Sequence, residues 1–132
     1  MKEKMTNQDM EDKKKFSLMT RIQSVNHGWR GLGIFLKTTH NAWMQIIIAV
    51  LAVYMGFILH ISSVEWVLIV FAIGFVMVSE AFNTAIEIDI NLTSPEYHPY
   101  AKDTKDVAAG AVLLSLMIAG ITGLLIFLPK IF

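Results

Sequence analysis

Ser79–Asn91 reads SEAFNTAIEIDIN and closes a long apolar run that begins near Val64. It carries Glu80, Asn83, Glu87 and Asp89. If the segment is helical, Glu80, Asn83 or Thr84, and Glu87 fall on one face, at spacings of three, four and seven. A carboxylate at membrane depth is costly, and by default it marks a functional site. The plainer alternative is a solvated helix end, with Glu80 just inside the interface and Glu87 already in water.

The chain around this stretch belongs in a bilayer. Of its 132 residues 55% are hydrophobic and only 17% charged, with no net formal charge. The mean hydropathy of +0.54 is above that of ordinary soluble domains. Three apolar runs long enough to span are expected at 42–59, 64–88 and 106–128. The segment 16–39 reads as an amphipathic surface helix. Phe16, Met19, Ile22, Val25, Trp29, Leu32 and Leu36 recur every three or four residues, with Arg21, Arg30 and Lys37 elsewhere on the wheel. Residues 1–15 are polar and expected to be a disordered cytoplasmic tail. The fold class is therefore all-α integral membrane, with a single membrane domain over 16–132.

Charge sets the topology. Eight of the eleven Lys and Arg precede Asn41, so the amino-terminal region is expected on the cytoplasmic side. The start shows no short apolar stretch ending in a cleavage site, so the run from Trp43 is expected to be a true span. The second span then returns to the cytoplasm, and the loop 91–105 with Pro95 and Pro99 lies there too. This arrangement brings the polar residues of 21–45 and 80–106 to one membrane face. Acids offset the bases, which argues against nucleic-acid binding. The absence of cysteine excludes disulfide and thiolate chemistry. Three spans enclose little, so oligomerisation with sites between subunits is expected.

The chemistry these residues suit is phosphoryl transfer to a membrane alcohol. Carboxylate and amide oxygens at Glu80, Glu87, Asn83 and Asn41 are hard ligands appropriate to Mg²⁺, which binds few protein groups and completes its shell with phosphate and water. Lys105 suits a phosphate as a point charge. Glu80, at lipid depth, suits a general base toward a lipid hydroxyl. The four histidines form no convincing metal-ligand pattern, and the GLG at Gly31–Gly33 is too short for a phosphate loop.

Three pieces in order carry a specific resemblance: E-x-x-N-T-A-I-E at Glu80–Glu87, E-Y-H at Glu96–His98, and A-K-D-x-K-D-V-A-A-G-A-V-L-L at Ala101–Leu114. Together they resemble the small prokaryotic diacylglycerol kinase family, which includes undecaprenol kinases, over about residues 21–125. The resemblance implies a homotrimeric enzyme of the bacterial inner membrane, with a surface helix and three transmembrane helices per subunit. It implies ATP as co-substrate, Mg²⁺, a lipid alcohol as acceptor, and active sites between subunits at the cytoplasmic face. It implies Glu80 as catalytic base with Asn83 beside it, and Glu87 as metal ligand. Lys105 and Asp106 would serve the nucleotide phosphates and site ordering, Glu96 and His98 the adenine or ribose end, and Arg21 the nucleotide or lipid.

The chain also departs from the family pattern. Thr39 stands where the family has its other metal-binding glutamate, Asn91 where some members have an acid, and His27 where an aromatic is common. The resemblance thus implies metal binding with one carboxylate fewer. The E-Y-H-P sequence points to undecaprenol as acceptor, with diacylglycerol as the alternative. An inactive membrane subunit of the same fold, or a small channel lined by Glu80, are the competing classes.

Overall fold

Helix accounts for almost every described residue. The computed structural model describes the backbone of residues 7–132 and the side chains of residues 18–132. Its elements, in order, are α1 (Asn7–Thr38), α2 (His40–Ile58), α3 (Ser63–Thr93) and α4 (Pro99–Ile131). The chain divides into two units, Met1–Lys37 and Thr38–Phe132.

The first unit holds α1, which begins nine residues before the expected surface helix. Much of the supposed tail is therefore helical, since its Gln, Met, Glu and Lys residues are good helix formers. Residues 1–6, and the side chains of Lys13–Lys15 and Phe16, lie outside the described set. Leu18, Met19, Ile22, Val25, Trp29 and Leu32 recur at helical spacing and are all exposed.

The second unit is a three-helix bundle. The pair α3 and α4 forms its main packing, and α2 joins chiefly through α3. All three helices are long and apolar enough to cross a membrane. Fewer than one in five residues of each helix's most apolar window is buried within the chain. Large side chains such as Phe71, Phe82 and Leu125 are more than 65% exposed. Surface of that kind is stable only against lipid or another apolar partner, and the protein is a membrane protein.

Local chemistry fixes the helix ends at one side of the bundle. Ser62 and Glu65 form a reciprocal capping box at the start of α3, with Ser62 N–H donating to Glu65 Oε2 at 2.6 Å and Glu65 N–H to Ser62 Oγ at 3.3 Å. Glu65 also meets Lys130 Nζ at 3.2 Å, which ties the start of α3 to the end of α4 and so sets their antiparallel register. The α2–α3 turn is a Schellman arrangement, with Ile61 N–H donating to Gly56 O and His60 N–H to Phe57 O. His60 takes φ 48° there, a conformation usually left to glycine. Ile61, Ile69 and Ile126 form a small core at this end, with Trp66 and Phe127 packed on it.

Only one glycine makes a close approach. A Cβ on buried Gly56 would sit 2.8 Å from the Trp66 ring and 3.0 Å from Ile61 Cδ1. By contrast Gly28, Gly31, Gly33, Gly110 and Gly120 have nothing near them. Helix α4 makes no close approach at its glycines within the chain. Its buried positions are instead Ala108, Val112, Ser115 and Ile126.

At the other end α3 continues to Thr93, five residues beyond the expected span, and α4 starts at Pro99, seven before. Pro99 occupies the first turn, where its missing N–H costs nothing. The intervening loop is only five residues long, so the polar ends of α3 and α4 stand as ordered helix. On α3 the buried face runs Ile69, Val76, Glu80, Thr84. The apolar packing stripe passes without a break into the acid and the hydroxyl.

Candidate active site

A polar pocket of about 360 Å³ opens where α2 begins and α3 nears its end. Thr38, Thr39, His40 and Asn41 form one wall. Glu80, Asn83, Thr84, Glu87, Ile88 and Asn91 form the other. The face expected from the spacing in SEAFNTAIEIDIN is thus the pocket wall.

Glu80 is 2% exposed, the most buried ionisable group among the described residues. Its one hydrogen bond there comes from a neutral amide, Gln45 Nε2 on α2, which donates to Glu80 Oε2 at 3.2 Å. No cation pairs with Glu80 among the described residues. A carboxylate held out of water with so little support is costly as a structural element, and suits chemistry instead.

One turn on, Asn83 Nδ2 donates to Glu87 Oε1 at 3.4 Å, an i,i+4 pair. Asn83 Oδ1 is buried with no partner, while Glu87 itself is exposed. An orphaned amide oxygen beside an exposed carboxylate is a donor set that fits a hard divalent cation. Only one acid contributes, and no group of three or more His, Cys, Asp or Glu side chains able to hold a metal occurs among the described residues.

Thr39 explains part of that poverty. It is the N-cap residue of α2, yet its side chain makes no cap bond. Its Oγ1 lies 2.7 Å from Thr84 Oγ1, and both residues are buried. The pair ties α2 to α3 directly beneath the pocket. It also leaves the first N–H groups of α2 without a side-chain cap at the pocket wall, where their partial positive charge favours anionic groups.

Lys105 reaches the rim from α4. Its Nζ donates to Oδ1 of Asn91, a pocket-wall residue, at 2.6 Å. The described residues offer it no carboxylate, so its charge remains uncommitted beside the pocket. Asp106 pairs with Lys102 at 2.9 Å, one helical turn back. Glu96 and His98 are exposed on the α3–α4 loop and do not line the pocket. His98 stacks loosely on Tyr100, with ring centroids 5.6 Å apart. Arg21 is exposed on α1, in the other unit.

A second cavity adjoins this one. An apolar groove of about 640 Å³ runs among α2, α3 and α4, from Gln45 at one end to Ile131 at the other. Gln45 is the one strongly polar side chain in its lining. Its link to Glu80 spans 35 residues and has no local signature.

The fold and pocket define a small three-span membrane protein with a buried acid at the end of its second span. Comparison with known proteins carries this further. The family model for prokaryotic diacylglycerol kinase matches residues 26–127, and the chain belongs to that family. It is 39% identical to an undecaprenol kinase of Bacillus subtilis over 110 residues, covering 83% of this chain and 89% of the relative. It is 32% identical to a diacylglycerol kinase of Synechocystis over 83% of this chain and 63% of the relative. A diacylglycerol kinase of Escherichia coli K12 is 28% identical over 76% of this chain and 83% of the relative.

Proposed function

We propose that this protein transfers the γ-phosphoryl group of ATP to the hydroxyl of a membrane lipid, with undecaprenol as acceptor and undecaprenyl phosphate as product. The observation that carries the reading is the burial of Glu80 against a neutral amide on the wall of the polar pocket. The Bacillus relative, similar over most of both chains, supports the choice of lipid. Diacylglycerol is the second acceptor to consider, because the Synechocystis and Escherichia relatives are named for it.

In this mechanism the lipid enters from the bilayer. Its tail lies along the apolar groove, and its hydroxyl arrives at the Gln45 end, beside Glu80. Glu80 accepts the hydroxyl proton as the lipid oxygen bonds to the γ-phosphorus and the bond to ADP breaks. Lys105, held at the rim by Asn91, meets the phosphate oxygens as a point charge. Glu87 and Asn83 Oδ1 would hold Mg²⁺, which when bound neutralises charge on the phosphates. Arg21, Glu96, His98 and Asp106 are assigned to nucleotide binding and ordering on family resemblance alone.

The protein acts in this reading as a homotrimer of the bacterial inner membrane. The broad exposure of α2, α3 and α4 leaves room for neighbouring copies and for lipid, and the apolar face of α1 suits the membrane surface. Sites open to the cytoplasm, where ATP is found. The test is a substrate panel with radiolabelled ATP and Mg²⁺ in mixed micelles. Labelled undecaprenyl phosphate is the expected product. Label in phosphatidic acid alone would transfer the assignment to diacylglycerol, and no labelled lipid with either acceptor would sink the kinase reading.

A further inference from the structure

Gln45 sits at a junction. It is the strongly polar residue of an otherwise apolar groove, and it is the hydrogen-bond partner of the most buried acid in the neighbouring pocket. Its Nε2 donates to Glu80 Oε2 at 3.2 Å, while its own Oε1 is buried with no partner. A residue serving packing alone at this place would be apolar. An amide here leaves an acceptor unsatisfied, a cost with no structural return except the bond to Glu80.

We propose that Gln45 is a positioning residue for Glu80 and holds the carboxyl in one orientation through the proton-transfer cycle. The inference rests on the kinase reading above. An amide suits the task because it has a donor and an acceptor at the same reach. Before transfer Nε2–H donates to the charged carboxylate and fixes Oε2, which leaves Oε1 of Glu80 for the lipid hydroxyl. When the hydroxyl O–H bond breaks and a Glu80 O–H bond forms, the carboxyl becomes a donor. A half-turn of the amide then presents the free Oε1 of Gln45 to accept from it. Gln45 neither gains nor loses a proton, and Glu80 returns its proton to water through the polar pocket. A methionine of similar length would fill the space and do neither. A lysine would add a charge and could not accept.

The titratable groups lining the pocket with Glu80 are His40 and Glu87, and the groove lining has none.

The experiment compares the full chain with Gln45→Met and Gln45→His in mixed micelles. Imidazole keeps an N–H donor and a ring acceptor at nearly the same reach. Gln45→Met is expected to lower kcat at least tenfold and to leave KM for ATP unchanged. Gln45→His is expected to keep kcat within about threefold of the parent. Infrared difference spectra of the parent against Glu80→Gln assign the Glu80 carboxylate band independently of turnover. That band should move in Gln45→Met and stay close to the parent's in Gln45→His. An unmoved band in Gln45→Met overturns the proposal, as does parental kcat in that variant or an equal loss of kcat in both variants. An inactive parent defeats the kinase reading instead, and the infrared comparison still decides whether Gln45 orients Glu80.

Discussion

Replacing Glu80 with glutamine should abolish turnover and strengthen the fold at the same time. The two effects have separate origins in the site. A general base contributes about 10²–10⁴-fold to rate, equivalent to about 3–5 kcal/mol of barrier, and glutamine cannot accept the proton. The stability side follows from the surroundings of Glu80. It is 2% exposed, bonds one neutral amide at 3.2 Å, and has no cation beside it among the described residues. Desolvating a carboxylate costs several kcal/mol, and a single charge-assisted hydrogen bond returns only about 1.5–3 of it. Glutamine is nearly isosteric, removes the charge, and can still bond Gln45 amide to amide. A gain of about 1–3 kcal/mol is expected. For a structural unit of this size that corresponds to a rise of several degrees in the thermal midpoint.

The assay pairs turnover with thermal unfolding of the same detergent preparation, followed by loss of helical circular dichroism. The expected outcome is a variant without measurable lipid phosphorylation and with a higher midpoint. A lower midpoint would refute the reasoning, because it would mean that Glu80 serves the fold through a partner not seen in the single chain. Retained turnover would remove Glu80 from the role of base. The opposed signs matter because a residue needed only for folding loses activity and stability together.

Lys105→Ala should raise KM for ATP about 10–100-fold, the worth of a charge-assisted contact to phosphate, whereas Lys102→Ala, whose exposed pair with Asp106 is 2.9 Å long, should change it little; initial-rate kinetics over a range of ATP separates them. Thr39→Glu removes the 2.7 Å hydroxyl pair with Thr84 and places a second carboxylate at the pocket wall. The Mg²⁺ concentration giving half-maximal rate should fall severalfold, read from a Mg²⁺ titration at fixed ATP. Gly56→Ala should destabilise the bundle by about 1–3 kcal/mol, because its Cβ would meet the Trp66 ring at 2.8 Å; thermal unfolding reads this, and an unchanged midpoint would mean that the ring moves aside freely.

The parts of this protein legible in its sequence are those that depend on helical period and on apolar length. Glu80, Asn83 and Glu87 share the pocket wall because spacings of three, four and seven place side chains on one side of any helix. The three spans were legible because lipid demands long apolar runs. What escaped was chiefly non-local. The Gln45–Glu80 and Thr39–Thr84 bonds join residues 35 and 45 apart, so nothing nearby in the chain announces them. The pairing of Asp106 with Lys102 follows the i,i+4 geometry of a helix. The polar ends of α3 and α4 looked like loop because they are hydrophilic, yet both helices run on past the apolar runs, with Pro99 confined to the first turn of α4.

The seven-residue spacing of Glu80 and Glu87 corresponds to about 10 Å along the helix axis, and in the proposed reaction it separates their roles. Of the two acids, Glu87 would be the one to hold Mg²⁺ if it binds, with Asn83 Oδ1 beside it. Glu87 is the exposed one, and it adjoins the orphaned Asn83 oxygen. Glu80 is the buried one, and its partner Gln45 faces the apolar groove. A lipid brings its hydroxyl from the groove side, and a nucleotide brings its phosphates from the open side. In the proposed reaction the acid nearer the lipid would take the proton and the acid nearer water would serve the phosphates. Exchanging the roles would require the lipid hydroxyl to leave the groove, or the phosphates to enter it without counter-charge. With Thr39 turned toward Thr84, no second acid stands at the open side among the pocket-wall residues. If Mg²⁺ binds beside Glu87 and Asn83, a bound nucleotide's oxygens would be needed to complete its ligand set.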